Sequence, residues 1–200
     1  EYTYGKGKIY IMRNDPKGFV MDKNSDDKFI EAIKKLYETE PRQGKLQFKN
    51  HFALTRGPYE IIAVLDENSD QSPYTIKGKL IDLFDPEIPV LNEKQVKPGE
   101  QAFLFNISSI KNPKTPQVVA AAAGVYDEKA TKDTYSFVAK SPLNTTNVMR
   151  ILLPEKVSKI EVTDTAGKPL EMKTSWDESS KTCFLKFENS PEGVLVNLIW

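Results

Sequence analysis

Cys183-Phe184-Leu185-Lys186-Phe187-Glu188 and, after the turn Asn189-Ser190-Pro191-Glu192-Gly193, Val194-Leu195-Val196-Asn197-Leu198-Ile199-Trp200 carry the clearest period of two in this sequence. Successive side chains of a strand point to opposite faces, so Cys183, Leu185, Phe187, Val194, Val196, Leu198 and Trp200 read as the core-facing set of two strands. Phe184, Leu195 and Ile199 interrupt the alternation. That is the pattern expected where a strand is covered on both faces.

The same texture runs back to Leu46. Apolar runs at 46–55, 59–65, 74–83, 101–107, 117–125, 133–139, 147–153, 159–164, 171–175, 182–187 and 194–200 read as strands. Turn chemistry separates them: Gly57-Pro58, Asn68-Ser69-Asp70, Asp85-Pro86, Pro98-Gly99, Asn112-Pro113 and Ala166-Gly167-Lys168-Pro169. Short strands at roughly 8–12-residue spacing with such punctuation predict a mainly β protein, an antiparallel β-sandwich that is either one large unit or two small packed ones. One helix precedes it. Asn24-Ser25-Asp26-Asp27 supplies caps, and Phe29, Ile30, Ile33, Leu36 and Tyr37 draw a single apolar stripe that ends before Pro41 and Gly44. Ahead of the helix, residues 8–13 read as a strand closed by turn residues at 14–18. The expected organisation is a strand–helix segment at 1–44, a β-sandwich at 45–143 and a C-terminal sandwich part at 144–200. The abrupt start reads as either a fragment of a longer chain or a processed secreted protein, with the fragment preferred.

Composition excludes several function classes. Twenty-eight Lys and Arg balance 28 Asp and Glu, so bulk charge argues against nucleic acid and polybasic membrane contact. The longest largely apolar run, Val118–Tyr126, is about half of the roughly 20 residues a membrane-spanning helix needs, so no membrane insertion is expected. One cysteine, Cys183, leaves no disulfide framework or multi-cysteine zinc site, and one histidine, His51, leaves no HExxH centre. No cofactor and no metal are expected.

A few constellations bear on chemistry. Acidic residues gather at Asp66-Glu67-Asn68-Ser69-Asp70 and at Asp82, Asp85 and Glu87. They offer either weak Ca²⁺ loops or solvated turns, and a carboxylate pair among Asp66, Glu67, Asp82 and Asp85 would suit glycoside hydrolysis. Gly5-Lys6-Gly7-Lys8 precedes a strand and reads as a tight turn, since a phosphate cradle sits between strand and helix. Arg56-Gly57-Pro58-Tyr59 is a hairpin or corner, where Arg56 serves either a ligand carboxylate or a surface ion pair. His51 and Cys183 read as packed residues. Trp176, Tyr126, Tyr135 and Trp200 are candidates for stacking on sugar rings, against the alternative of core packing. Asn106 and Asn144 open glycosylation sequons.

Two stretches carry a family resemblance. Tyr4-Gly-Lys-Gly-Lys-Ile-Tyr-Ile-Met with the helix ending Lys34-Lys-Leu-Tyr resembles the closing strand and helix of class I glutamine amidotransferase-like domains. It omits the region of a nucleophile, so no catalytic residue carries over. Arg56-Gly-Pro-Tyr-Glu-Ile-Ile-Ala-Val-Leu-Asp-Glu, Leu80-Ile-Asp-Leu-Phe-Asp-Pro-Glu-Ile-Pro-Val-Leu and Val96-Lys-Pro-Gly-Glu-Gln-Ala resemble the C-terminal part of large, mostly uncharacterised Bacteroidetes-type secreted proteins of carbohydrate-processing systems. Arg150-Ile-Leu-Leu-Pro, Ser175-Trp-Asp and Leu185-Lys-Phe-Glu-Asn-Ser-Pro-Glu-Gly-Val are similar to the terminal β-sandwich behind glycosidase catalytic domains. The resemblance implies a secreted, periplasmic or cell-surface setting, an upstream domain of the same parent protein as partner, and polysaccharide as the neighbouring substrate. The expected function is a non-catalytic accessory module giving scaffold or weak glycan contact. The alternatives are a carbohydrate-binding module using Trp176, Tyr126 and Tyr135, and a glycoside hydrolase.

Overall fold

The computed structural model describes residues 1–38, 44–67 and 70–200, which fall into two compact units, Glu1–Lys49 and Asn50–Trp200. The helix stop expected at Pro41 and the turn expected at Asn68-Ser69 lie outside the described residues.

In the first unit β1 (Tyr2–Tyr4) and β2 (Gly7–Ile9) form a hairpin. The sequence predicts a strand to residue 13, but β2 stops at Ile9. The turn expected at 14–18 is instead a helix start: Asp15 accepts the Lys17 N–H at 3.0 Å and Pro16 opens α1 (Pro16–Met21). The predicted amphipathic helix is α2 (Lys23–Glu38), whose Phe29 ring stacks on Phe19 of α1 at 4.6 Å.

The second unit begins with a five-stranded antiparallel sheet of β3 (His51–Arg56), β4 (Tyr59–Val64), β5 (Tyr74–Asp82), β6 (Val90–Val96) and β7 (Gln101–Asn106), in the order β3–β4–β7–β5–β6. One face of this barrel-like sheet closes over a core drawn from its own strands. The Asn50 amide, at the head of β3, donates to the carbonyls of Ser72 (2.7 Å) and Asp70 (3.2 Å), and the His51 ring lies 4.1 Å from that of Tyr74. The concave side buries Ile62, Val64, Leu80, Val96, Ala102 and Leu104. Alternation does not reveal β6, because Lys94 takes an inward position that an apolar residue would mark. Its Nζ meets the buried Asp82 carboxylate at 2.7 Å.

A single 3-10 turn, Ile107–Ser109, leads towards an eight-stranded sandwich. Its strands are β8 (Gln117–Ala121), β9 (Gly124–Ala130), β10 (Thr134–Lys140), β11 (Thr146–Leu152), β12 (Lys159–Asp164), β13 (Met172–Asp177), β14 (Thr182–Glu188) and β15 (Val194–Ile199). They form two antiparallel sheets, β13–β14–β11–β8 and β12–β15–β10–β9. The strand predicted over 117–125 is two strands, with Ala122 and Ala123 passing the chain from one sheet to the other. The boundary expected at 143/144 falls between β10 and β11, one in each sheet of this sandwich. Its core contains the predicted Cys183, Leu185, Phe187, Val194, Val196 and Leu198, joined by Phe137, Met149 and Ile151. Each such side chain contributes about 1.5–3 kcal/mol by leaving water.

One sandwich sheet is covered twice. Outward-facing Val148, Leu152 and Phe184 meet Ile81, Ile88 and Phe105 of the barrel, which accounts for Phe184 breaking the alternation. Leu195 breaks it for no such reason, since it is 43% exposed. Arg150 ties the two bodies: its Nε donates to the Ile88 carbonyl at 2.9 Å while its guanidinium lies 5.1 Å from the Phe184 ring centre. Lys186 pairs with Glu87, and Lys79 donates to the Ser179 carbonyl, across the same junction.

Candidate functional site

Tyr135 is a core residue, 1% exposed. Its inward place on β10 buries the ring, and its hydroxyl donates to Glu128. Burial first, and Glu128 second, push its phenol pKa well above the usual value. It therefore offers no face to a sugar, which corrects the sequence expectation.

Trp176 also packs against the sandwich core, as does Trp200. Its indole Nε1–H donates to Glu178 at 2.6 Å, and one side of the residue borders a hollow of about 300 Å³ with Val157, Ile160 and Met172. Tyr126 is 53% exposed on the outer face of the other sheet. Its phenol end leans back on Gly124, where a Cβ would come within 2.8 Å of the ring, and Lys140 Nζ sits 6.0 Å from the ring centre. Trp176 is on β13 and Tyr126 on β9, so the two belong to different sheets and share no surface.

The acidic groups are also kept apart. Asp66 and Glu67 follow β4 at one end of the barrel, and Asp82 and Asp85 close β5 at the other. Leu104 faces Glu60 on one side and Asp82 on the other, so the stretch from Glu60 to Val64, about 13 Å of strand, lies between Asp82 and the residues after β4, more than the roughly 5–9.5 Å that glycosidase carboxylates require. Within the second group Asp82 pairs with Lys94 and accepts the Phe84 N–H at 3.1 Å, while Asp85 accepts the Glu87 N–H at 2.8 Å. Both hold their loop together. Among the described residues no three His, Cys, Asp or Glu side chains gather as a metal group would. Cys183 is buried, which raises its thiol pKa.

A contiguous cluster of aromatic rings lies where the sequence shows only a corner. Gly57, at a φ of +58°, takes the first of the two turn positions between β3 and β4, where a tight hairpin needs a left-handed residue. The resulting register pairs Arg56 with Tyr59, Leu54 with Ile61 and Phe52 with Ala63. All these side chains point to the convex side of the barrel. Tyr59 stacks on Phe103 (5.4 Å between ring centres, 24° between planes) and meets Phe105 edge-on at 5.5 Å, and Phe84 lies 6.1 Å beyond Phe103. Phe105 dives under the sandwich, whereas Tyr59 and Phe84 stay exposed, so the rings form a ledge beside β8.

Two hollows follow this ledge along successive residues of β8. One, of about 680 Å³, is bordered by Gly57, Tyr59, Lys111, Asn112, Thr115 and Gln117. The other, of about 470 Å³, is bordered by Phe84, Phe103, Asp85, Ala121 and Thr146. β8 is the edge strand of its sheet among the described residues. Sequence reasoning missed Tyr59 and Phe103 because each sits in an apolar run that reads as core, and Phe84 because it falls between such a run and the Asp85-Pro86 turn. The available signal was the Gly57-Pro58 turn, which fixes Tyr59 on the same face as the polar Arg56.

Comparison with known protein families, curated proteins and solved structures finds no significant match to this chain.

Proposed function

We propose that this chain is a non-catalytic β module of a larger secreted, periplasmic or cell-surface glycan-processing protein, and that it touches glycan at the Tyr59 ledge rather than through Trp176, Tyr126 or Tyr135. The observation that carries this reading is a ledge of aromatic rings, Tyr59, Phe103 and Phe84, running beside polar side chains that border the hollow at its Tyr59 end. A pyranose has an apolar C–H face and a rim of hydroxyls. Tyr59, Phe103 and Phe84 suit the first, while Asn112, Thr115 and Gln117, each with donor and acceptor atoms, suit the second. The trough is open and shallow, which fits weak contact with a long chain better than enclosure of a small substrate. The parent protein and its upstream domain enter through the sequence resemblance alone.

Affinity electrophoresis in gels containing a panel of polysaccharides tests the reading. Retardation by one polysaccharide class, abolished by Tyr59→Ala and preserved in Tyr126→Ala, is the expected result. Retardation lost in Tyr126→Ala and kept in Tyr59→Ala would move the site to the sandwich. Mobility unaffected by every polysaccharide would remove glycan contact from the proposal.

A further inference from the structure

Resting on that reading, we infer that the glycan taken by the Tyr59 ledge is a polyuronate, with a sugar carboxylate held between Arg56 and Lys111. Arg56 is the register partner of Tyr59 across the hairpin, so its side chain rises on the same convex face beside the ring. Lys111 itself borders the hollow that Gly57 and Tyr59 line, on the segment after the 3-10 turn. Neither cation has an ion pair or side-chain hydrogen bond among the described residues, although the chain carries as many acidic as basic groups overall. No carboxylate borders the Tyr59 trough. An open, mixed polar and apolar surface with one unneutralised cation on its wall and a second beside Gly57 at its rim is complementary to an anion, and a planar guanidinium fits a carboxylate through two parallel hydrogen bonds.

The rest of the trough narrows the kind of anion. Ser109, Asn112, Thr115 and Gln117 can all donate and accept. A hydroxyl-rich chain uses such groups at every residue, whereas a fatty-acid carboxylate would need an apolar channel. The aromatic ledge continues past Phe103 to Phe84, offering a second stacking position along one extended chain. Asp85 borders that far end. The charge preference is therefore confined to the Arg56 end.

Polygalacturonate and its fully methyl-esterified form have the same backbone and differ in carboxylate charge, so affinity electrophoresis with the two separates charge recognition from stacking. Dextran sulfate and polyglutamate serve as polyanion controls. The expected result is retardation by polygalacturonate that falls about tenfold on esterification and about tenfold in Arg56→Gln, the loss of one charged hydrogen-bonded contact. Lys111→Gln should weaken binding by a smaller factor, and Tyr59→Ala should weaken the acid and ester forms alike. Arg56 and Lys111 are exposed, so unchanged melting temperatures would confirm that the variants remain folded. Equal retardation by the acid and ester forms would overturn the inference and leave the glycan reading standing. Equal retardation by dextran sulfate or polyglutamate would overturn it in favour of a general polyanion surface. If only neutral polysaccharides bind, the inference fails alone. If none of the polysaccharides binds, both fail.

Discussion

The barrel and the sandwich solve the same problem with opposite outcomes on their outer faces. In the sandwich, the sheet β13–β14–β11–β8 is apolar on both sides because each side has a partner: the second sheet on one, the barrel on the other. In the barrel, the concave side closes over its own core, but the convex side carries Phe52, Leu54, Tyr59, Ile61, Phe103 and Phe84, and the sandwich covers only the end where Phe105 and Ile81 lie. An apolar strand residue therefore has two meanings in this chain. In β14 it marks a covered face, and in β3 an open one.

The largest expected effect separates those meanings. Leu185 is fully buried at the centre of the sandwich. Leu185→Ala should cost about 3 kcal/mol, from lost transfer energy and the cavity left behind, read as a lower urea midpoint at unchanged slope. A loss below about 1 kcal/mol would mean that the sandwich core is loosely packed and that the contrast with the barrel is overstated.

Alternation made that core legible, and it failed where a polar group took an inward place. The core residues of β14 and β15 were read correctly because hydrophobic burial acts on every second side chain. β6 was missed because Lys94 points inward to neutralise Asp82. The divide between β8 and β9 was missed because Ala122 and Ala123 continue an apolar run while the backbone changes sheet. Tyr135, which the sequence leaves between sugar stacking and core packing, takes the core. Nothing local distinguishes an inward from an outward tyrosine until the register with β9 and β15 is known. The ledge depended on a still longer-range fact, that the barrel overlaps the sandwich only partly.

Lys94 gives the next effect in size. Removing it as Lys94→Ala leaves the Asp82 carboxylate buried without its cation, at a cost of about 2 kcal/mol given that the lysine is itself partly exposed. The double variant Asp82→Leu/Lys94→Leu should recover most of that loss, because the desolvated charge goes with its partner. Additive losses in the double variant, measured by urea denaturation, would show that the pair holds the barrel by more than charge compensation.

Tyr135 should appear only in alkali. Its phenol pKa is raised in the folded chain, by burial and then by Glu128, whereas the unfolded phenol titrates near its ordinary value of about 10. The resulting stability is fully present below about pH 10 and is lost as pH rises from the unfolded towards the folded pKa, because the unfolded chain gives up its proton first. The melting temperature of the wild type should fall more steeply above about pH 10 than that of Tyr135→Phe. Parallel curves would remove Tyr135 from the alkaline limb.

The smallest effect is the most informative about the barrel. Leu54 stands on the convex side in a row with Ile61 and Phe103, and is 58% exposed. Leu54→Thr keeps a residue suited to a strand and gives up little burial, so the stability change should stay within about 0.5 kcal/mol. The same chemical change at Leu185 would disrupt the sandwich, which is why the pair measures covering rather than hydrophobicity. A loss above about 1.5 kcal/mol at Leu54, independent of protein concentration, would place other atoms of the same chain over that face. A loss that grows with concentration would place a second copy there. A neutral result leaves the row of Leu54, Ile61 and Phe103 open to solvent and available to a ligand lying along the ledge.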